Sequence, residues 1–430
     1  MADLAQSEVS SDERPHYGRV AIVNDWLVTY AGSERVLEQI IAMWPDADLF
    51  SLVDFFPEDE RDKLLGKRAK TSFIQHLPRA RTAYRSYLPL MPLAIEQFDL
   101  SGYDLVISSS HAVAKGIITG PDQVHVSYVH SPIRYAWDLQ HEYLQQAGMT
   151  KGLKSWIARG VLHYVRMWDL RSVPGVDAFI ANSGFIARRM RKTYGCDATV
   201  VYPPIDIERF VLGTQREDFY LTASRMVPYK RVPLVVDAFS KMPDKRLVVI
   251  GDGPEFERAR ALAGPNVTLL GYQPGNVLID HMQRARGFVF AAEEDFGLSV
   301  VEAQACGAPV IAYGRGGARE TVIESPDPMA RTGVFFRQQS VEAIVEAIAR
   351  FEANGPFHPE VCHRNALRFT PERFRREFRH VVDDAVRAAQ RRLAEGAALD
   401  IRTADASPVD ISRADAGPGA TQRPVLMVEE

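Results

Sequence analysis

Two periodicities alternate along the chain. Short apolar runs rich in Val, Ile, Leu and Phe are followed by longer stretches whose apolar positions recur at helical spacing. The short runs predict strands at 19–23, 49–53, 104–108, 124–129, 178–181 and 199–202. A second set follows at 220–223, 246–250, 267–270, 287–290, 309–312 and 333–335. Strands that are apolar on both faces and joined by helices form parallel sheets covered on both sides. Because the pattern occurs twice, the fold class it predicts is α/β, with two doubly wound, Rossmann-like domains facing each other across a cleft. The stretch Y-P-P-I-D-I-E-R-F, from Tyr202 to Phe210, carries paired prolines and marks the linker. The domains are then expected at 18–205 and 206–370. A long charged helix at 371–395 follows, and disordered tails at 1–17 and 396–430 complete the organisation. The tail after Ala398 is rich in Ala, Asp, Pro and Gly and poor in apolar residues.

Composition narrows this only a little. A length of 430 residues suits two mid-sized domains, and a net charge of −4 argues against bulk nucleic-acid binding. Cys196, Cys306 and Cys362 have neither metal-ligand nor redox spacing, which points to a reducing cytosol. The polar, acidic N-terminal stretch does not read as a secretory signal, and no apolar run approaches the roughly 18–20 residues needed to span a bilayer. The expectation is a cytoplasmic protein whose membrane contact, if any, is peripheral.

Open parallel sheets hold ligands beyond the carboxyl ends of their strands, so the residues after each strand carry the chemistry. S-R-M-V-P-Y-K-R places Arg225 and Lys230 after the 220–223 strand, where two cations suit a diphosphate. A solvated basic turn is the plain alternative. G-D-G-P-E supplies Gly251 and Gly253, which permit a tight turn and close approach of a ligand, though an ordinary strand-to-helix turn needs them as well. E-E-D-F-G-L-S-V-V-E-A-Q-A-C-G follows the 287–290 strand. It puts Glu294 in the loop, a turn at Phe296–Gly297, and Glu302 on a helix that starts near Leu298. The N–H groups of Gly297 and Leu298 would face an anion at that helix start. Gly314, Gly316 and Gly317 cluster after the 309–312 strand. In the first half, Asp25 follows the first strand, Gly32 and Ser33 open a helix that could line an acceptor groove, and His130 sits at a strand's carboxyl end. A purely structural histidine is an equal reading there. The one Asp-x-Asp, Asp46 to Asp48, reads as a turn before a strand.

These residues resemble a known family. The Glu-x7-Glu from Glu294 to Glu302, the Arg-x4-Lys of Arg225 and Lys230, Gly251–Asp252–Gly253 and Gly316–Gly317 are similar to the motifs of retaining glycosyltransferase family 4. S-Y-V-H-S-P-I-R-Y-A-W-D resembles its mannosyltransferase-like branch, which builds O-antigen and exopolysaccharide units on a lipid carrier. The resemblance spans residues 18–392. It implies the GT-B fold, with a nucleoside-diphosphate sugar in the second domain and GDP-mannose favoured. It further implies that Arg225 and Lys230 neutralise the diphosphate, that Glu302 holds the ribose, that Glu294 and His130 hold the donor sugar, and that Phe296, Gly297 and Leu298 line the donor site. No cofactor or metal is implied, and the expected partners are the sugar nucleotide and a lipid-linked acceptor. Relatives often carry two glycines in the first loop, where this chain has Ala31–Gly32, and that leaves the acceptor open.

Three rival functions fit the same fold: a UDP-sugar-dependent transferase, a nucleotide-sugar epimerase and a non-catalytic sugar-nucleotide binder. Two stretches, 67–92 and 151–168, mix cations with aromatic and aliphatic residues. Each reads equally as a surface for an anionic membrane or as helices packed on the first domain with their cations outward.

Overall fold

The computed structural model describes residues 15–404. The first half forms a seven-stranded sheet from β1 (Val20–Asn24), β2 (Asp48–Ser51), β3 (Lys70–Thr71), β4 (Leu105–Ser110), β5 (Val124–Val129), β6 (Ala178–Ala181) and β7 (Thr199–Val200), in the order β3-β2-β1-β4-β5-β6-β7. The second half forms a six-stranded sheet from β8 (Tyr220–Ala223), β9 (Leu247–Ile250), β10 (Val267–Gly271), β11 (Gly287–Phe290), β12 (Val310–Tyr313) and β13 (Gly333–Phe336), in the order β10-β9-β8-β11-β12-β13. Every strand pair is parallel.

Strand β11 explains why such runs lack alternation. Phe288 and Phe290 face one core with Val300 and Val301, while Val289 faces a second core with Val235, Val236 and Phe239. Both faces are dry, so both parities are apolar. Two elements depart from the expectation. β3 pairs through only Lys70 and Thr71, too short a run to show periodicity. β7 ends at Val200, ahead of Pro203 and Pro204, which have no N–H to offer a ladder.

Seven helices matter below: α1 (Gly32–Met43), α2 (Gln140–Gln146), α3 (Leu153–Arg171), α4 (Gly184–Tyr194), α5 (Val232–Ser240), α6 (Leu298–Ala305) and α7 (Pro371–Ala404). Helix α7 starts after the second sheet and lays aromatic rings on the first half. Phe374 and Phe378 meet Tyr128 at centroid distances of 5.8 and 6.1 Å, and Phe378 meets Trp44 at 6.0 Å. Arg375 donates to Gln39 at 2.6 Å. Both sheets, with α7 as far as Arg387, belong to one compact body, and from Ala388 the helix continues as a unit of its own.

The expected tails need correction. The helix runs on to Ala404, because Ala-rich sequence sustains a helix that composition alone reads as disorder. At the other end Tyr17 is held, its hydroxyl donating to Asp383 and its ring meeting Trp44 at 5.7 Å. The remainder of both expected tails, 1–14 and 405–430, lies outside the described residues.

The 67–92 stretch takes the packed alternative. Ile74 and Tyr84 are buried, and Phe73, Leu77, Tyr87 and Leu88 pack on the same core, leaving Arg79, Arg81 and Arg85 exposed. Asp48 opens β2 and is engaged by Tyr103 and by Lys70 at 3.2 Å.

Candidate functional site

The second sheet places β8 beside β11, although β9 and β10 lie between them in sequence. That is the switch point of a doubly wound sheet, where the loops leaving adjacent strands diverge and open a crevice. The loop after β8 carries Arg225 and Lys230, and the loop after β11 carries Glu294. Lys230 closes a short 3-10 turn, Pro228–Lys230, and α5 begins only at Val232, after Arg231 adopts a left-handed φ of 57°. Lys230 therefore precedes the helix. Its Nζ pairs with Glu294, and the two side chains are 16% and 15% exposed. Arg225 is exposed, and among the described residues no carboxylate pairs with it. Its charge is felt by Tyr84 of the first half, where it opposes the upward push of burial on that phenol.

Glu302 lies on α6, one helical stretch beyond Glu294, as the spacing implies. It is 7% exposed and is paired by Arg35 of α1. Burial opposes the Arg35 charge, but the Glu302 carboxylate outweighs it and raises the guanidinium pKa. Gly297, at φ +88°, caps α6. The N–H groups of Gly297 and Leu298 find no acceptor among the described residues, so the helix start offers unpaired donors to an anion.

Several expected site residues have other tasks. Phe296 is buried among Tyr202 and Phe369, so it anchors the loop and does not line a donor site. Asp25 is fully buried and accepts N–H bonds from His111, Ala112, Val113 and Ala114 at 2.6–3.0 Å. With its oxygens taken up, it fixes the loop after β4 and cannot meet an acceptor. Gly32 abuts the second half: a Cβ there would come within 2.8 Å of the Leu298 side chain. Ser33 donates to Glu34 at 3.0 Å, and Glu34 also accepts the Ala31 N–H, stapling the start of α1.

The glycine loops serve backbone packing. A Cβ on Gly251 or Gly253 would meet the carbonyls of Ser224 and Met226 at 1.9 and 2.7 Å. These glycines thus let the Arg225 loop lie against the neighbouring turn. Gly316 does the same for Glu294, whose carbonyl oxygen would be 2.3 Å from an added Cβ.

His130 stands at the end of β5, half-buried, its Nε2 2.9 Å from Ser109 Oγ. Burial, with His111 nearby, holds its pKa down to about 3. It is therefore neutral at pH 7 and can donate or accept a hydrogen bond without bringing charge.

The sequence reading missed the contacts that join the halves. Asp295 is paired by Arg134 and lies 3.5 Å from Arg189. Its carbonyl accepts the Ser183 hydroxyl at 2.5 Å. Glu320 accepts the Gly184 and Phe185 N–H groups at 2.7 Å each, so a carboxylate of the second half caps α4 of the first. Asp295 stands in the stretch that drew attention to Glu294, but Arg134 is 161 residues away and no local pattern links them.

Two parallel sheets with a crevice at the second sheet's switch point define the GT-B architecture, and solved structures agree. A protein from Anabaena, Alr3699/HepE, crystallised with UDP, superposes with a TM-score of 0.61 at 16% identity, covering 85% of this chain and all of that one. Sucrose-phosphate synthase from Thermosynechococcus elongatus gives 0.63 at 18% identity, covering 86% of this chain and all of that one. At the level of sequence, residues 30–209 match the model of Glycosyltransferase Family 4 and residues 204–368 that of Glycosyl transferases group 1. The chain thus joins two glycosyltransferase domains on the GT-B fold.

Among relatives, a GDP-mannose-dependent monoacylated alpha-(1-6)-phosphatidylinositol monomannoside mannosyltransferase of Corynebacterium glutamicum is 29% identical over 205 residues, which is 40% of this chain and 52% of that protein. A D-inositol 3-phosphate glycosyltransferase of a Mycobacterium species is 31% identical over 175 residues, 34% of this chain and 39% of that protein. The chain spans about half the length, or less, of these relatives.

Proposed function

We propose that the protein is a retaining hexosyltransferase that moves mannose from GDP-mannose to a lipid-linked acceptor, extending a polysaccharide repeat unit at the cytoplasmic face of a membrane. The observation that supports this reading is the Lys230–Glu294 pair between the loops that leave β8 and β11 at the switch point, with Arg225 on the same loop as Lys230 and Glu302 on α6. In this reading Glu302 exchanges Arg35 for the ribose hydroxyls, and Glu294 exchanges Lys230 for hydroxyls of the sugar. Lys230, Arg225 and the Gly297 and Leu298 N–H groups then hold the diphosphate. As the bond from the sugar carbon to the diphosphate oxygen breaks, negative charge grows on the leaving group, where these donors already stand. The acceptor oxygen attacks from the same face, and its proton passes to the departing phosphate oxygen. Neutral His130 holds the sugar from the first half.

The mannose assignment is supported by the names of the GDP-mannose-dependent relatives. A uridine donor is favoured by a different observation, the UDP and UDP-glucose complexes of the structural neighbour from Anabaena. A thermal-shift panel of GDP, GDP-mannose, UDP-glucose and UDP-galactose separates the two. Saturation at 100 times the dissociation constant adds about 2.7 kcal/mol, a shift of a few degrees. Stabilisation by the guanosine ligands alone, abolished in Glu302→Ala, is expected. A response to uridine ligands instead keeps the transferase and removes mannose. Silence towards all of them puts a non-catalytic role first.

A further inference from the structure

Helix α3 is apolar on two sides, and only one of them is covered. Leu162, Val165 and Trp168 pack inward beside Ile133, Ala136 and Leu88. On the opposite side Leu153 is 75% exposed, Trp156 77% and Met167 54%, with Ile157 and Leu170 also exposed between and beyond them. At about 100° per residue these five positions fall within an arc of roughly 140°, which keeps them on one face of the helix. A stripe this apolar on a water-facing helix marks a surface that meets something.

The charges around the stripe say what it meets. Lys151 and Lys154 flank its start, both exposed, while Arg171 at its end is exposed but paired with Glu96 at 2.6 Å. The sole acid of α3, Asp169, is fully buried and held by Lys115 at 2.8 Å. The adjoining segment 63–95 carries seven Lys or Arg and no Asp or Glu, with Arg79, Arg81 and Arg85 exposed. It reaches α3 through Leu88, and Glu96 just beyond it accepts from Trp168 at 2.7 Å. A second copy docked through this stripe would set cation against cation.

We propose that the outer face of α3 docks on an anionic lipid bilayer, its apolar side chains entering the interface and the neighbouring cations meeting lipid phosphates. Among the described residues no helix is long and apolar enough to cross a membrane, so the contact is peripheral. The helix runs from the carboxyl end of β5 back to the amino end of β6. Its most exposed turns therefore lie at the end of the sheet where β5 delivers His130. Helix α2, immediately before it, reaches the second half through Glu142 and Arg231, 3.8 Å apart. Docking brings the crevice to the bilayer surface. That consequence for acceptor access rests on the transferase reading; the docking itself does not.

Flotation of the full chain with vesicles of phosphatidylcholine, alone or mixed with phosphatidylglycerol, is the test, with light scattering on the lipid-free protein. The expected result is flotation with the mixed vesicles only, and a blue shift of tryptophan emission lost in Trp156→Ala. Leu153→Asp/Trp156→Asp/Ile157→Asp is expected to stay at the bottom with unchanged circular dichroism and an unchanged thermal response to nucleotides. Lys151→Gln/Lys154→Gln lowers the vesicle partition constant by roughly fivefold per cation removed. Three results overturn the proposal: no flotation with any vesicle, equal flotation with neutral lipid, or a wild-type dimer that the triple variant converts to monomer. The nucleotide response is read separately, so loss of docking and loss of the transferase reading are distinguishable.

Discussion

Arg35 pairs with Glu302, and on the proposed reading a ribose must displace it. The pair is mostly shielded from solvent, 22% and 9% exposed, but its guanidinium also loses hydration there, so its net contribution is modest. Arg35→Ala is expected to tighten nucleotide binding by roughly fivefold, an effect of about 1 kcal/mol. Glu302→Ala is expected to abolish it, and calorimetric titration of both variants checks the opposed signs. His125 sets a pH dependence of its own. It is fully buried between Ser108 and the Gly175 carbonyl, and burial lowers its pKa from 6.5 to about 4. Between those values the unfolded chain binds a proton that the native state refuses. Stability therefore falls as pH drops through that window, by about 1 kcal/mol per pH unit. Urea midpoints at pH 5 and 7 measure this, and His125→Gln is expected to flatten the difference. At this scale the Arg225–Lys230 and Glu294–Glu302 spacings could be read from the sequence because each is local. Arg35, Asp295 and the buried role of Asp25 were not, because their partners come from distant parts of the chain.

The 293–297 loop is shaped by what lies beneath it as much as by its own residues. Gly316, at φ +68°, lets the loop after β12 pass under the Glu294 backbone, and Gly317 stands within 2.3 Å of the Phe296 Cα when given a Cβ. Gly316→Ala is expected to displace Glu294 and weaken donor binding, with a loss of about 1–3 kcal/mol in stability. A nucleotide titration beside a thermal melt separates the two effects. Strands β5, β6, β8 and β11 begin and end where the apolar runs do, since burial on both faces leaves no polar residue to blur their limits. Element ends set by tertiary context were less legible, as with β7 before its prolines and α7 beyond residue 395. The glycine clusters were visible, but a sequence cannot say whether a glycine yields to a ligand or to a neighbouring backbone.

Across the whole molecule, the last helix starts beyond the second sheet and is bound to the first half by a stack of rings. Phe378 is fully buried against Tyr128, Trp44 and Phe374. Phe378→Ala is expected to cost about 3–5 kcal/mol and to lower the melting temperature by several degrees, read by calorimetry. The two-sheet plan was legible because the strand and helix pattern repeats, but how the halves engage depends on the Asp295, Glu320 and Glu302 contacts. Those contacts and the Lys230–Glu294 pair mean that the crevice carries its own counter-charges. On the proposed reading a diphosphate entering it displaces Glu294 from Lys230, and of the two expected cations only Arg225 stands without a carboxylate partner among the described residues. Association should accordingly respond weakly to added salt, with a slope of binding constant against ionic strength well below that expected from the number of phosphate contacts formed.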